Sequence, residues 1–264
     1  MGTKIAIVTG GSSGIGRCAA IALRQAGCNV YEFSRRNHPM EGITHMAVDV
    51  TDEASICTAI ETVIRACGRV DILVNCAGNG ISGAVEFTEL KDAKSQFEVN
   101  FFGMVNMNKA ALPIMRQQGS GRIINISSVA AVAHIPFQTY YSASKAAIES
   151  YTCCLANEVR PFGISVTCIQ PGDIATGFTQ ARRKSALGDD VYHGRISRSV
   201  AGMEKDEENG MKPEIAGRYI VKIALRNRVK PIYTLGMGYK CLSMLCKLLP
   251  CQLRNWIVGL LYAR

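Results

Sequence analysis

Lys4-Ile-Ala-Ile-Val-Thr9, followed by Gly10-Gly-Ser-Ser-Gly-Ile-Gly16, decides the fold of this chain. The first six residues form a short apolar run rich in β-branched side chains, the pattern of a buried strand. A helical spacing then runs to Gly27, with Ile15, Ala19, Ala20 and Leu23 on one side and Gly27 as the stop. The unit is strand, glycine-rich turn, helix. In such a turn, backbone N–H groups point at an anion held at the positive end of the helix. Glycines allow an approach that a side chain would block. The spacing Gly10, Gly14, Gly16 differs from the commoner dinucleotide fingerprint. A formal match to that fingerprint at Gly14, Gly16 and Ala19 starts inside the helix entry and is read as coincidence.

Working outward, residues 29–34 read as a second strand with Arg35 and Arg36 behind it. In nucleotide-binding folds an acid near this strand end bonds the adenosine ribose, whereas an arginine accepts a 2′-phosphate. Ser34, Arg35 and Arg36 stand at that point, and a guanidinium binds phosphate bidentately, so NADP(H) is expected over NAD. Glu32 is the counter-indication, since a carboxylate turned to the ribose would suit NAD. Further strands are expected at 43–48, 70–75, 121–127 and 163–170. Helices are expected from an Asp52 cap to Cys67, over 93–118 and over 142–160. This alternation predicts an α/β fold, a doubly wound parallel sheet with helices on both faces. No linker or repeat interrupts it, so residues 1–264 are read as a single domain.

The chemistry is expected near residues 128–145. Four residues separate the Tyr141 phenol from the Lys145 ammonium, which places both on one face of a helix starting near Ser142. A neighbouring cation favours the phenolate, so the Tyr141 pKa should fall from about 10 toward the working range. Such a phenol can pass a proton to or from a reacting oxygen. Ser128, at the end of the 122–127 apolar run, is placed to hold the same oxygen.

Composition narrows the class. With 48% apolar and 19% charged residues in 264, the chain has an ordinary globular balance and a core that needs no staples. The eleven cysteines lack paired spacing apart from Cys153-Cys154, which has no second pair to complete a metal site. They read as reduced, buried thiols. No charged-then-apolar leader precedes the strand at Lys4, so a cytoplasmic protein without a metal is expected. The net charge of +9 is dispersed and not interleaved with aromatics, which argues against nucleic acid and fits an anionic cofactor.

In this order, the landmarks resemble the short-chain dehydrogenase/reductase family over roughly residues 4 to 176, with a weaker echo to about 235. Thr9-Gly10-x-x-x-Gly14-x-Gly16 resembles its cofactor loop. Asn75-Cys76-Ala77-Gly78 resembles its Asn-Asn-Ala-Gly motif, with Cys76 in place of the second Asn. Pro171-Gly172-x-x-x-Thr176 resembles the segment that closes over the nicotinamide and diphosphate. Asn100, Ser128, Tyr141 and Lys145 fall where the family has its catalytic tetrad.

The resemblance implies a Rossmann-type sheet of about seven strands, with residues 231–235 as the seventh. It implies hydride transfer between a nicotinamide and a carbonyl carbon. Tyr141 would be the acid in reduction and the base in oxidation, and Ser128 would stabilise the developing alkoxide. Lys145 would lower the Tyr141 pKa and hold the nicotinamide ribose, while Asn100 would hold a water relaying protons to Lys145. The cofactor would be held by Gly10, Ser12, Ser13, Gly14, Ile15, Gly16, Ser34, Arg35, Arg36, Asp49, Val50, Asn75, Ala77, Gly78, Tyr141, Lys145, Pro171, Gly172, Ile174 and Thr176, with Asp49 and Val50 at the adenine. Family members usually form homodimers or homotetramers through the two long helices that here carry Asn100 and Lys145.

Specificity is expected from loops at 79–90, 130–140 and 173–212, with His134 a candidate substrate contact and the third loop a partly mobile lid. Arg182-Arg183-Lys184 reads as a solvated helix face or a site for an acidic substrate tail. The apolar tail 239–264, with Trp256 and with Lys240, Lys247 and Arg254 seven apart, reads as pocket wall and subunit contact or as an interfacial membrane anchor. Loops and tail together favour a ketone or secondary alcohol on a bulky lipophilic substrate, in the style of the family's hydroxysteroid and retinol branch, with a steroid or bile acid as the example. The alternatives are a 3-oxoacyl-thioester reductase and a non-catalytic NADP-binding sensor.

Overall fold

The computed structural model describes residues 2–263; Met1 and Arg264, the outermost residues of the expected single domain and tail, lie outside the described residues. The strands are β1 (Ile5–Thr9), β2 (Asn29–Ser34), β3 (Ile43–Ala47), β4 (Ile72–Asn75), β5 (Ile81–Ser82), β6 (Gly121–Ile126), β7 (Ile164–Gln170), β8 (Arg183–Lys184) and β9 (Ile232–Thr234). The α-helices are α1 (Gly14–Gln25), α2 (Glu53–Cys67), α3 (Leu90–Phe97), α4 (Gly103–Gln118), α5 (Ala130–Ala133), α6 (Thr139–Val159), α7 (Phe178–Ala181), α8 (Arg195–Glu208), α9 (Pro213–Ala224), α10 (Met237–Leu248) and α11 (Cys251–Tyr262).

Seven strands form one parallel sheet in the order β3-β2-β1-β4-β6-β7-β9, and β5 pairs with β8 outside it. Successive side chains of a strand face opposite sides. Ile5 and Ile7 of β1 accordingly pack with Met107 of α4, Val63 of α2 and Leu155 of α6, whereas Ala6 and Val8 pack with Leu23 of α1 and Ile220 of α9. Burial on both faces explains why β1 is an unbroken apolar run. Asp52 caps α2 by accepting the Ala54 N–H, and Gly68 closes the helix in the left-handed region at φ +71°.

Some boundaries moved for local reasons. Helix α6 begins at Thr139, three residues before the expected Ser142, because the Ser142 N–H bonds the Gln138 carbonyl. The helix expected over 93–118 runs from Leu90 and is interrupted by a π-turn at Glu98–Phe102, which re-aims Asn100. Residues 173–212 are not a structureless loop, since they hold α7, β8 and α8. Of their basic cluster Arg183 and Lys184 are exposed and Arg182 is buried, and each cation has an acidic partner. Arg182 pairs with Glu207 and Lys184 with Glu204 within the segment, while Arg183 pairs with Asp92 of α3. The eleven cysteines are unpaired, as expected, but only Cys28, Cys168 and Cys246 are fully buried.

Helices α1 and α9 touch at backbone distance, because a Cβ on Gly217 would stand 2.6 Å from the Cys18 carbonyl. Gly202 of α8 has nothing within 4 Å of the same position. Both are helical glycines, so alanine should add about 1 kcal/mol of helix propensity at each. Gly202→Ala is therefore expected to raise the unfolding midpoint. Gly217→Ala is expected to lower it, because the opposing atoms are backbone and cannot step aside. Thermal or denaturant melts of the two variants check the contrast; equal shifts would remove Gly217 from its packing role.

Candidate active site

The strand order reverses between β1 and β4, and the crevice beyond their carboxyl ends is where doubly wound sheets bind ligands. The Thr9 hydroxyl accepts the backbone N–H groups of Cys76 (3.1 Å) and Ala77 (3.2 Å), binding the two strand ends together. Gly10 has φ +65°, and a Cβ there would lie 2.8 Å from Ala77 Cα. A Cβ on Gly16 would lie 2.4 Å from the Gly10 carbonyl oxygen. Both glycines are thus demanded by close backbone approach. The turn leads into α1, whose N-cap Ser13 makes no capping bond with its side chain, so the first N–H groups of the helix are open to an anion.

A cavity of about 830 Å³ extends from this turn to α6. Of the expected cofactor residues, it is lined by Gly10, Ser12, Ser13, Gly14, Ile15, Gly16, Ser34, Arg35, Arg36, Asp49, Val50, Ala77, Gly78, Tyr141, Lys145, Pro171, Gly172, Ile174 and Thr176. Thr176 lies across the turn, its Cβ 3.6 Å from where a Gly14 side chain would begin. Thr51 holds the Asp49 carboxylate through its N–H (2.9 Å) and hydroxyl (2.7 Å), which keeps that carboxyl below its usual range. Glu32 is turned away from this wall: it is fully buried, packs beneath Gly11 and pairs with His45 at 2.6 Å. The counter-indication to a phosphate-reading strand end is therefore absent.

A dinucleotide's diphosphate fits the open helix terminus, and its adenosine side fits the wall of Ser34, Arg35, Arg36 and Asp49. When bound, the nicotinamide supplies or accepts the hydride. The protein's own part is to orient the reacting oxygen and manage its proton.

Ser128 and Tyr141 line the cavity together, and the Ser128 hydroxyl accepts the Ala130 N–H at 3.1 Å. Burial pushes the Tyr141 phenol up to about 12, with the Ser128 hydroxyl and the Arg182 charge acting the other way. This corrects the expectation that Lys145 brings the phenol into the working range. The Lys145 ammonium donates to the Ile126 carbonyl at 2.9 Å and sits 5.6 Å from the centre of the Tyr141 ring, and burial lowers its own pKa to about 8. Desolvation outweighs attraction because both groups are enclosed. A phenol that stays protonated across neutral pH is suited to donate to an alkoxide as it forms.

Three expected residues do not reach the cavity wall. Asn75 turns inward, donating to Asn108 (2.8 Å) and Asn125 (2.9 Å). Asn125 donates in turn to the Thr152 hydroxyl, so four elements are braced beneath the site. Asn100 lies behind Gly78: its Oδ1 accepts the Asn79 N–H at 2.8 Å, and its Nδ2 donates to the Asn79 carbonyl and to Ser144. It therefore holds the Asn79 backbone beside the cavity. His134 ends α5 in the left-handed region at φ 52° and is exposed. Its neighbours Ile135 and Gln138 form the wall instead.

The structure adds residues the sequence reading did not single out. Phe178 lies 5.7 Å from the Tyr141 ring, and Gln180, Glu207 and Asp173 complete the far wall. Asp173 accepts the Tyr239 hydroxyl at 2.6 Å, and the Tyr239 ring packs where a side chain on Gly172 would stand. The 66-residue separation hides this pair from any local pattern; only the glycine at 172 hinted at a close neighbour.

Because Lys145 loses its proton as pH rises through about 8, reductive kcat/KM is expected to be level below that pH and to fall above it. Tyr141→Phe should keep cofactor affinity and lose most turnover. A profile level to pH 10, or near-normal turnover in the variant, would remove these roles.

The comparisons agree with this geometry. The family model described as short chain dehydrogenase matches residues 4–187. A 3-ketodihydrosphingosine reductase of Bacteroides thetaiotaomicron is 45% identical over 229 residues, covering 86% of this chain and 85% of that protein. A short-chain dehydrogenase structure from Streptomyces avermitilis superposes with TM-score 0.83 and 31% identity, covering 92% of this chain and 91% of that one. ElxO, solved with NADP bound, shares the fold at TM-score 0.76 and 24% identity, covering 91% of this chain and 100% of that one. The chain belongs to the short-chain dehydrogenase family, oxidoreductases that act on CH–OH and C=O groups.

Proposed function

We propose that this protein is an NADPH-dependent reductase of a ketone on a long-chain lipid, of the 3-ketodihydrosphingosine type. The observation that carries this reading is the far wall of the cavity. Apolar Ile135 and Phe178 there stand with Asp173, a carboxylate whose pKa is raised by burial. A substrate with an alkyl chain and an ammonium beside its ketone would cover the apolar groups and relieve the desolvated acid. The similarity to the Bacteroides enzyme favours this linear amino ketone over the steroid or bile acid expected from the loops and tail alone. In the proposed reaction Tyr141 donates the proton to the oxygen that Ser128 orients, and Lys145 supports the donation. Asn100 acts as a positioning residue through Asn79, and the protein assembles as a homo-oligomer through the long helices.

NADPH is favoured over NADH because Arg35 and Arg36 are exposed on the cavity rim while Glu32 is held by His45. Arg35→Ala is expected to raise the KM for NADPH at least tenfold and to leave that for NADH nearly unchanged. Equal effects would mean that Arg35 does not read the phosphate.

The substrate class is tested by following NADPH oxidation with 3-ketodihydrosphingosine, a long-chain ketone lacking the amine, ketosteroids, oxo-bile acids and acetoacetyl thioesters. Turnover is expected to be highest with the amino ketone, and Asp173→Asn should weaken its advantage over the amine-free analogue. Preference for a steroid or a thioester would overturn the substrate reading. Cofactor binding without turnover across the panel would favour a sensor.

A further inference from the structure

Helices α10 and α11 form a hairpin with two apolar sides. In α10, Tyr239, Ser243 and Cys246 are spaced four and three apart and face the protein. Half a turn away, Met237, Met244, Leu245 and Leu248 form a second stripe at helical spacing, and it is exposed: Met237 by 73% and Leu248 by 74%. In α11, Val258 faces inward while Leu253 and Trp256 face out, Trp256 by 62%. A helix apolar on both sides expects a partner on each.

Charge identifies the outer partner. Residues 237–263 contain no Asp or Glu, and the exposed Lys240 and Lys247 lie seven apart on the flank between the two α10 faces. A two-fold contact between copies through this face would bring those lysines together with no acid in the hairpin to meet them. A surface apolar beneath and anionic at its rim matches both features. The hairpin also adjoins the site, because Tyr239 packs on Gly172 and bonds Asp173. Among the described residues no helix is long and apolar enough to cross a membrane.

We propose that the outer face of the α10–α11 hairpin docks on an anionic lipid bilayer without spanning it, setting the cavity mouth beside the membrane. The proposal rests on the hairpin and not on the substrate reading, so either can fail alone.

Trp256 is the only tryptophan, which makes its emission a local probe. The full chain would be mixed with vesicles of phosphatidylglycerol and phosphatidylcholine, or of phosphatidylcholine alone, and its oligomeric state without lipid measured by light scattering. The expected result is sedimentation with the anionic vesicles, a blue shift of Trp256 emission, and quenching by brominated acyl chains. Leu248→Glu with Leu253→Glu should abolish all three at an unchanged melting temperature. Lys240→Gln with Lys247→Gln should lower partitioning about thirtyfold, from a contribution of about fivefold per lysine at an anionic surface. Absence of vesicle binding, or binding without a change at Trp256, overturns the proposal. So does a lipid-free oligomer that the leucine variants dissolve, which would assign the face to a second copy.

Discussion

Two backbones meeting at the point where the sheet reverses direction are the constraint on which the rest of this structure depends. Parallel strands whose onward connections depart to opposite faces leave a crevice at their carboxyl ends. The crevice is useful only if its floor is rigid. The Thr9 hydroxyl accepts two N–H groups from the end of β4, and Gly10 lets the β1 turn lie on Ala77 with no Cβ between them. Below, the Asn75–Asn108–Asn125–Thr152 ladder joins β4, α4, β6 and α6 inside the core. The bonds run through Asn75 Nδ2, Asn108 Oδ1 and both polar atoms of the Asn125 amide, while Asn75 Oδ1 and Asn108 Nδ2 are buried without a partner.

Above this floor, burial sets the proton chemistry. Tyr141 and Lys145 share a face of α6, but enclosure drives the two pKa values apart, the phenol up to about 12 and the ammonium down to about 8. The ammonium is held by the Ile126 carbonyl at the end of β6. One turn further along α6, the buried Glu149 accepts from Gln170 at 2.6 Å and contacts Ser127, while Gln170 accepts the hydroxyls of Thr234 and Ser243. Helix α6 is thereby tied to the last sheet strand and to α10, so the hairpin is part of the scaffold that holds Lys145.

The walls of the cavity come from three separate insertions at the strand ends, as the fold class leads one to expect. Asn79 comes from the first, Ile135 and Gln138 from the second, and Asp173, Phe178 and Glu207 from the third. The third is tied to the body by the ion pair of Arg183 with Asp92 of α3 and braced internally by Arg182 with Glu207 of α8. What had the composition of a solvated loop is an ordered cover, because each of its three consecutive cations has an acid to meet.

The sequence by itself determined the sheet, the glycine-rich turn and the gathering of Ser128, Tyr141 and Lys145 at one cavity. These rest on short-range physics: apolar runs, glycines where backbones approach, and a four-residue helical step. Only the tertiary structure decided that Asn75 and His134 stand off the wall, that Glu32 is spoken for by His45, and that Asp173 faces Tyr239. It also decided the sign of the Tyr141 shift. Local spacing places a cation near a phenol, but how far water is excluded from both depends on everything packed around them.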